Sequence, residues 1–448
     1  MCSSVCSTSG TGIDSTERTD RYGDDIEHEA TDSSDCRFVD ATVDTALAAM
    51  FAVGRDFGPG SIFRIIETVG DLLGACHARV FVTDYSLRQI QELVQDGHGE
   101  RLAIEGTVAG RAFASCAIVH AGTDSGVWWV PLSEGSERIG LLELTYDDPN
   151  NAPPELLAQV VDLLVLLLVS RRRYTDLWVR TRRAVPLSVA AEAQWNLLPP
   201  LTCASSEVEV SGILEPAYEI GGDSFDYALN QTSLDFAIVD AVGHGISAVL
   251  MSSAVINCLR NVRRERGDLT SAYRATDKLL ADQFGDCFYA TGVIGSLNLE
   301  SGVLTWINAG HMPPMLVRNE TFAGELVCRP SMPLGLGGPV VQIATEQLQR
   351  GDRLLLYTDG IPESLSPDRQ RFGVDRLADF LVRASLDRTS GAETVRRLSD
   401  HIVQYVTDGL RDDATLLLID FLERPTHPDV APDLDSSIEA DSPKPDLP

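Results

Sequence analysis

Four short turns hold the residues best suited to chemistry. Asp223 follows Gly221-Gly222, and Asp240 ends the apolar run Phe236-Ala237-Ile238-Val239 ahead of Gly243-His244-Gly245. Asp359 sits in Thr358-Asp359-Gly360, and Asp412 opens Asp412-Asp413-Ala414-Thr415, each beside a strongly apolar stretch. A carboxylate at the end of a buried strand, next to glycines that admit close backbone approach, suits a cation. Taken singly, such an aspartate is as readily a turn or cap residue. Brought together, the carboxylates would repel one another, and buried uncompensated charge is costly, so their convergence implies bound cations. The donors are all oxygen, with no His or Cys ligand set, which points to hard ions such as Mg²⁺ or Mn²⁺. Two such ions about 3.5–4 Å apart activate a shared water and neutralise a phosphoryl group during in-line attack. That chemistry needs no side-chain nucleophile, and no Ser/His/Asp set, P-loop, GxGxxG or GxSxG is found in the sequence.

These turns need strands to position them. Between 208 and 421 the pattern is of alternating or fully apolar segments punctuated by Gly and Asp. Strands are expected at 208–212, 235–240, 289–298, 303–308, 340–345, 353–357 and 414–420. Helices are expected at 246–262, 271–284, 374–384 and 392–408. Strands in this number, with amphipathic helices between them, predict two sheets packed face to face and covered by helices.

Upstream, residues 43–170 read as an α+β sensor-type domain, with a helix at 62–73, strands at 79–84, 127–132 and 139–144, and a turn of helix near 107–113. Trp128 and Trp129 alternate across one strand, so one is expected in the core and the other toward a pocket or partner. The apolar segment 155–169 is uninterrupted only from Leu163 to Val169. That is short of the ~20 residues a membrane span needs. It reads as a closing helix or a dimer seam, with Arg171-Arg172-Arg173 suited to its C-terminus. A shorter helix at 187–198 then leads to Pro199-Pro200.

Composition sets the frame. The 448 residues carry a formal charge of −30, which argues against a nucleic-acid backbone or an anionic membrane as partner. Nine scattered cysteines without CxxC spacing, and no secretory leader pattern, make a reducing cytoplasm the expected location. Residues 1–42 and 422–448 are acidic, the tail also rich in proline, and read as disordered arms.

The motif series resembles the metal-dependent serine/threonine phosphatases of type 2C (PPM), in their bacterial SpoIIE-like branch. The matching stretches run from Ala193-Gln194-Trp195-Asn196-Leu197-Leu198-Pro199-Pro200 through Gly221-Gly222-Asp223-Ser224-Phe225-Asp226-Tyr227 to Asp240-Ala241-Val242-Gly243-His244-Gly245. They continue with Asn308-Ala309-Gly310-His311, Thr358-Asp359-Gly360 and Asp412-Asp413-Ala414-Thr415, in family order. The resemblance implies an α/β/β/α sandwich over 201–421 that binds two ions, Mn²⁺ or Mg²⁺. By it, Asp240 bridges both metals with the carbonyl of Ala241 as a further ligand. Asp359 and Asp412 hold one ion, Asp223 acts through water or an additional ion, and Asp413 is the alternative to Asp412. Asp240 and Asp359 are the catalytic pair. Asp226 is read as a turn residue, and His244 and His311 as loop-fixing rather than catalytic.

Residues 43–170 resemble a GAF domain on Thr107…Gly110-Arg111-Ala112, Trp129-Val130-Pro131-Leu132 and Ile139-Gly140-Leu141-Leu142-Glu143-Leu144. The implied protein is a phosphatase of phosphoserine or phosphothreonine on anti-anti-sigma (STAS-type) regulators. A small molecule or protein signal would act at the sensor, through a helical relay at 171–200, in a homodimer. A catalytically silent phosphoprotein-binding or ligand-sensing module is the alternative, and an enzyme of small phosphorylated metabolites a third.

Overall fold

The computed structural model describes residues 42–423 apart from 59, 96–98, 123, 219–220, 286, 407–408 and 411. The expected arm at 1–42 falls outside the described residues except for Thr42, and the tail except for Leu422 and Glu423.

The first half comprises α1 (Val43–Gly54), α2 (Ser61–Leu73), β1 (His77–Thr83), β2 (Gln89–Glu92), β3 (Arg101–Ala103), α3 (Val108–Ser115), β4 (Val119–His120), β5 (Val127–Glu134), β6 (Glu137–Thr145) and α4 (Leu157–Arg171). Its strands form one antiparallel sheet in the order β3-β2-β1-β6-β5-β4. Helix α2 places Ile62, Ile65, Ile66, Val69 and Leu73 at helical spacing, in one core with β1, β6 and α4. Phe113 of α3 and Phe81 form a separate cluster with Trp129. Trp129 is buried with its ring centre 5.3 Å from that of Phe81. Trp128 stacks on His120 at 4.5 Å and donates to the Asn151 carbonyl at 3.0 Å, so both tryptophans are used in packing. Helix α4 closes the domain with Val160, Leu164 and Leu168 in its core. Arg171 does not serve its own helix alone: its guanidinium donates to the carbonyls of Gly54 and Asp56 at 2.8 Å, capping the end of α1.

The connector carries α5 (Leu177–Thr181) and α6 (Val189–Leu197). The second half follows with β7 (Thr202–Ala204), β8 (Val208–Glu215), β9 (Asp223–Leu229), β10 (Ser233–Ala241), α7 (Ile246–Arg264), α8 (Leu269–Phe284), β11 (Ala290–Asn298) and β12 (Val303–Ala309). It ends with β13 (Met315–Arg318), β14 (Thr321–Glu325), β15 (Ala344–Gln347), β16 (Arg353–Tyr357), α9 (Gly373–Leu386), α10 (Gly391–Tyr405) and β17 (Ala414–Phe421). Five strands pair as β15-β12-β11-β10-β9, and six as β14-β13-β16-β17-β8-β7. Phe225, Ile238, Leu304, Leu355 and Leu417 bring the two sheets into one core, to which Leu381 and Leu398 of α9 and α10 belong. Val255, Ile256 and Tyr273 of α7 and α8 cover the other side of the five-stranded sheet. The layers are therefore α/β/β/α, as expected. The strand expected at 340–345 is instead mostly irregular, with β15 beginning at Ala344. Val340 and Ile343 are exposed there, so no burial stabilises an extended pairing.

The two halves touch directly as well as through the connector. Arg88 reaches Glu215 at 2.6 Å and Asp400 at 2.9 Å, and the Thr202 hydroxyl donates to the Ser136 carbonyl at 3.0 Å. Arg138 of β6 pairs with Glu393 of α10 at 3.0 Å, both buried. Burial alone would raise the Glu393 pKa, but Arg396, Arg397 and Arg138 override it and hold the carboxyl at about 2. Removing one partner of a buried pair strands the other charge. Arg138→Ala is expected to cost about 3 kcal/mol of stability, read from the shift in a urea midpoint; a loss below about 1 kcal/mol would show that the contact is not buried in solution.

Candidate metal centre

The four turns meet at one end of the sandwich. Asp223 opens β9 and Asp240 is the penultimate residue of β10, and the two face each other in register across the antiparallel pair. The carbonyl of Ala241 packs so closely on Gly222 that a Cβ there would lie 2.1 Å from it, which reserves position 222 for glycine. From the other sheet, Asp359 follows β16 and Asp412-Asp413 precede β17, whose neighbouring ends place them side by side. Gly360 fits there because a Cβ would lie 1.9 Å from the Asp413 carbonyl.

Hydrogen bonds stitch the two sheets at this point. The Asp413 carboxylate accepts from the backbone N–H of Gly221 at 2.8 Å and of Asp223 at 3.3 Å. The Thr358 hydroxyl donates to Asp223 at 2.6 Å and accepts from the Thr415 N–H at 2.9 Å. Asp223, Asp413 and Thr358 are buried, Asp240 and Asp359 half-buried, and Asp412 exposed. Their charges are strongly felt. Burial, then Asp240 and Asp413, hold the Asp223 carboxyl well above the usual range. Burial, then Asp359, Asp412 and Asp413, push Asp240 up to about 7. Asp413 is raised to about 6 mainly by burial, and Asp359 is raised by burial and then by Asp412 and Glu363.

The chemistry of these donors is that of a hard-cation site. Asp240, Asp359 and Asp412, with the Ala241 carbonyl, offer hard oxygens, and the raised carboxyls are those of a site that positive charge would relieve. Among the described residues, however, no group of three or more His, Cys, Asp or Glu side chains is placed so that it could hold a metal ion as it stands. Asp413, the alternative ligand by sequence, is occupied with backbone donors and serves as a brace. A cleft of about 370 Å³ opens beside Gly221, Gly243, His244, Asp412 and Asp413.

Two sequence-based roles change. Asp226 is no turn residue: it is buried on β9 and pairs with Arg260 at 2.7 Å and Arg263 at 2.9 Å of α7. Arg260 also donates to the Leu197 carbonyl at the end of α6, at 2.8 Å. His244 is exposed and makes no hydrogen bond among the described residues, so it does not fix its loop. The turn is made by Gly243 and Gly245 at φ 100° and 72°. His311 does brace, since Nδ1 meets the Thr291 hydroxyl at 2.8 Å and Nε2 the Tyr357 carbonyl at 3.2 Å. Burial lowers its pKa to about 4, keeping the ring neutral. Thr358 was not singled out by sequence; its signal was a hydroxyl directly before an acidic turn.

Residues 230–422 match the family model of Stage II sporulation protein E (SpoIIE). The match includes Asp240, Ala241, Asp359 and Asp412 and begins after Asp223. Protein IcfG of Synechocystis sp. is 22% identical over 262 residues, 52% of this chain and 41% of that protein. Phosphoserine phosphatase RsbU of Bacillus subtilis is 22% identical over 243 residues, 52% of this chain and 69% of that protein. The solved RsbU and RsbW domains of Rv1364c from Mycobacterium tuberculosis align at 27% identity and a TM-score of 0.41, over 48% of this chain and 60% of that one. The chain thus spans about two fifths of one curated relative and about two thirds of another.

Asp240 sets a pH dependence. Its folded pKa of about 7 exceeds the ordinary 3.8, so the folded state holds this proton more tightly than the unfolded chain. The associated stability is fully present below about pH 4 and lost as pH rises through about 7. In EDTA, the urea midpoint is expected to fall between about pH 4 and 7, and to fall less in Asp240→Asn. Equal slopes would show that Asp240 titrates normally.

Proposed function

Because residues 230–422 match the SpoIIE family model, we propose that this protein is a PPM-type phosphatase that hydrolyses phosphoserine or phosphothreonine on a protein substrate. The observation that carries the reading is the convergence of Asp223 and Asp240 from one sheet with Asp359 and Asp412 from the other. Two divalent ions, Mn²⁺ or Mg²⁺, would be held by Asp240, Ala241, Asp359 and Asp412, with Asp223 as outer partner. Bound there, they would supply an activated water and offset charge on the phosphoryl oxygens. The chain's own residues prepare the place. Asp413 holds the Gly221-Gly222 turn, Thr358 orients Asp223, and neutral His311 supports the strand end that presents Asp359. The substrate class we infer is a phosphorylated anti-anti-sigma regulator, in line with a relative named phosphoserine phosphatase.

The leading domain, which we take as GAF-like and sensory, bears on the turn that carries Asp223. Tyr218 donates to Asp84 of that domain at 3.1 Å, and the Tyr218 carbonyl accepts from the Ser188 N–H. Trp195 of α6 donates to the Ala217 carbonyl at 2.7 Å. A signal that shifts Asp84 or α6 would therefore reposition Gly221-Gly222-Asp223.

Mn²⁺-dependent hydrolysis of p-nitrophenyl phosphate and of a phosphoserine peptide is expected, abolished by EDTA. Asp240→Asn should lower kcat/KM by about 100-fold or more; full activity in that variant would overturn the metal assignment. Tyr218→Phe in the full chain should change the Mn²⁺ concentration for half-maximal activity by about fivefold, and an unchanged value would refute control through this turn.

A further inference from the structure

A second cleft, of about 1040 Å³, lies where the leading domain, the connector and α6 meet, and it shares no lining residue with the cleft beside Asp412. Its wall holds five arginines from a twelve-residue stretch: Arg172, Arg173, Arg180, Arg182 and Arg183. Three acids, Glu137, Asp176 and Glu192, also line it, leaving an excess of two positive charges in a chain whose formal charge is −30.

Of these arginines only Arg183 pairs with one of the three lining acids among the described residues. Arg183 pairs with Glu192, and Arg172 with Glu134 at 3.1 Å. Arg182 lies over the Tyr85 ring at 4.4 Å and donates to the Thr83 carbonyl at 3.0 Å. Among the described residues the Arg180 guanidinium donates only to the Gln95 carbonyl, at 3.0 Å, and the Arg173 side chain has no hydrogen-bond or ion-pair partner. Burial raises the nearby Glu137 carboxyl, which weakens it as a counter-ion. Guanidinium groups crowded on one concave wall repel one another, and their planar donor forks match phosphate oxygens two at a time. Tyr85 and Trp195, with ring centres 4.7 Å apart, supply an aromatic flank to the same cleft. The volume is at the upper end of small-molecule sites, which favour domain junctions.

We propose that this cleft binds a small molecule carrying two or more linked phosphates, of the nucleoside di- or triphosphate class, with the phosphates on Arg173, Arg180 and Arg182. The inference does not depend on phosphatase activity, because the site is separate from the carboxylate cluster.

Isothermal titration of the full chain in EDTA, which removes metal-mediated phosphate binding, tests it with three probes: ADP, sodium pyrophosphate and a hexaglutamate peptide. Saturable binding of ADP or pyrophosphate is expected, weakened about tenfold or more in the double variant Arg173→Ala/Arg180→Ala. Both side chains are exposed, so an unchanged melting temperature should accompany that loss. Arg369→Ala, beside Asp412, should leave the affinity unaltered. Equal affinities for ADP and pyrophosphate would assign recognition to the phosphates alone, and tighter ADP binding would add the base; either supports the proposal. No saturable binding of either phosphate probe, an unweakened double variant, an equal loss in Arg369→Ala, or binding of hexaglutamate alone would overturn it.

Discussion

The Asp413 carboxylate accepts from the N–H groups of Gly221 and Asp223, and through that contact the six-stranded sheet grips the turn that begins β9. A buried carboxylate with two backbone donors is satisfied; one facing other carboxylates is not. The cluster divides accordingly. Asp413 and Asp223 are buried and braced by N–H groups and the Thr358 hydroxyl, whereas Asp240, Asp359 and Asp412 are left nearer solvent with mutual repulsion unrelieved. The braces bring two sheets into register, and the repulsion that remains falls on the groups best able to take a cation.

Charge also organises the boundary between the halves. Arg138–Glu393 and Arg88–Glu215 cross it with their carboxylates buried. Pairs of this kind contribute little net stability over apolar packing, but a misplaced partner is heavily penalised, so they select one docking arrangement. Their placement matters because Glu215 ends β8, only a few residues before Asp223.

Much of this was readable in advance, for identifiable reasons. Strands such as β16, with every residue buried, announce themselves as apolar runs, and α7 and α9 by their periodicity. The aspartates stood out because each adjoined such a run. What escaped depended on distant partners. Asp226 looked like a turn residue beside Gly221-Gly222, yet its role is set by Arg260 and Arg263, more than thirty residues away. His244 drew attention between two glycines, although the glycines alone make the turn. Arg171 reads as a cap for its own helix, but the carbonyls it satisfies lie at the end of α1 and two residues beyond it, over a hundred residues earlier. The segment 340–345 has strand-like residues but no neighbour to bury them.

The Asp226–Arg260–Leu197 junction has a mechanical consequence. Arg260 sits in the last turns of α7, holding both β9 and the end of α6, while the first turn of the same helix adjoins Gly245 beside the carboxylates. Nineteen residues at about 1.5 Å each make α7 a strut of roughly 28 Å. Helices resist axial compression because shortening one would break its hydrogen-bonded ladder. A displacement of Leu197 would act first on Arg260, and through the same guanidinium on Asp226 of β9, so the connector and the strand that begins at Asp223 share one anchor on α7.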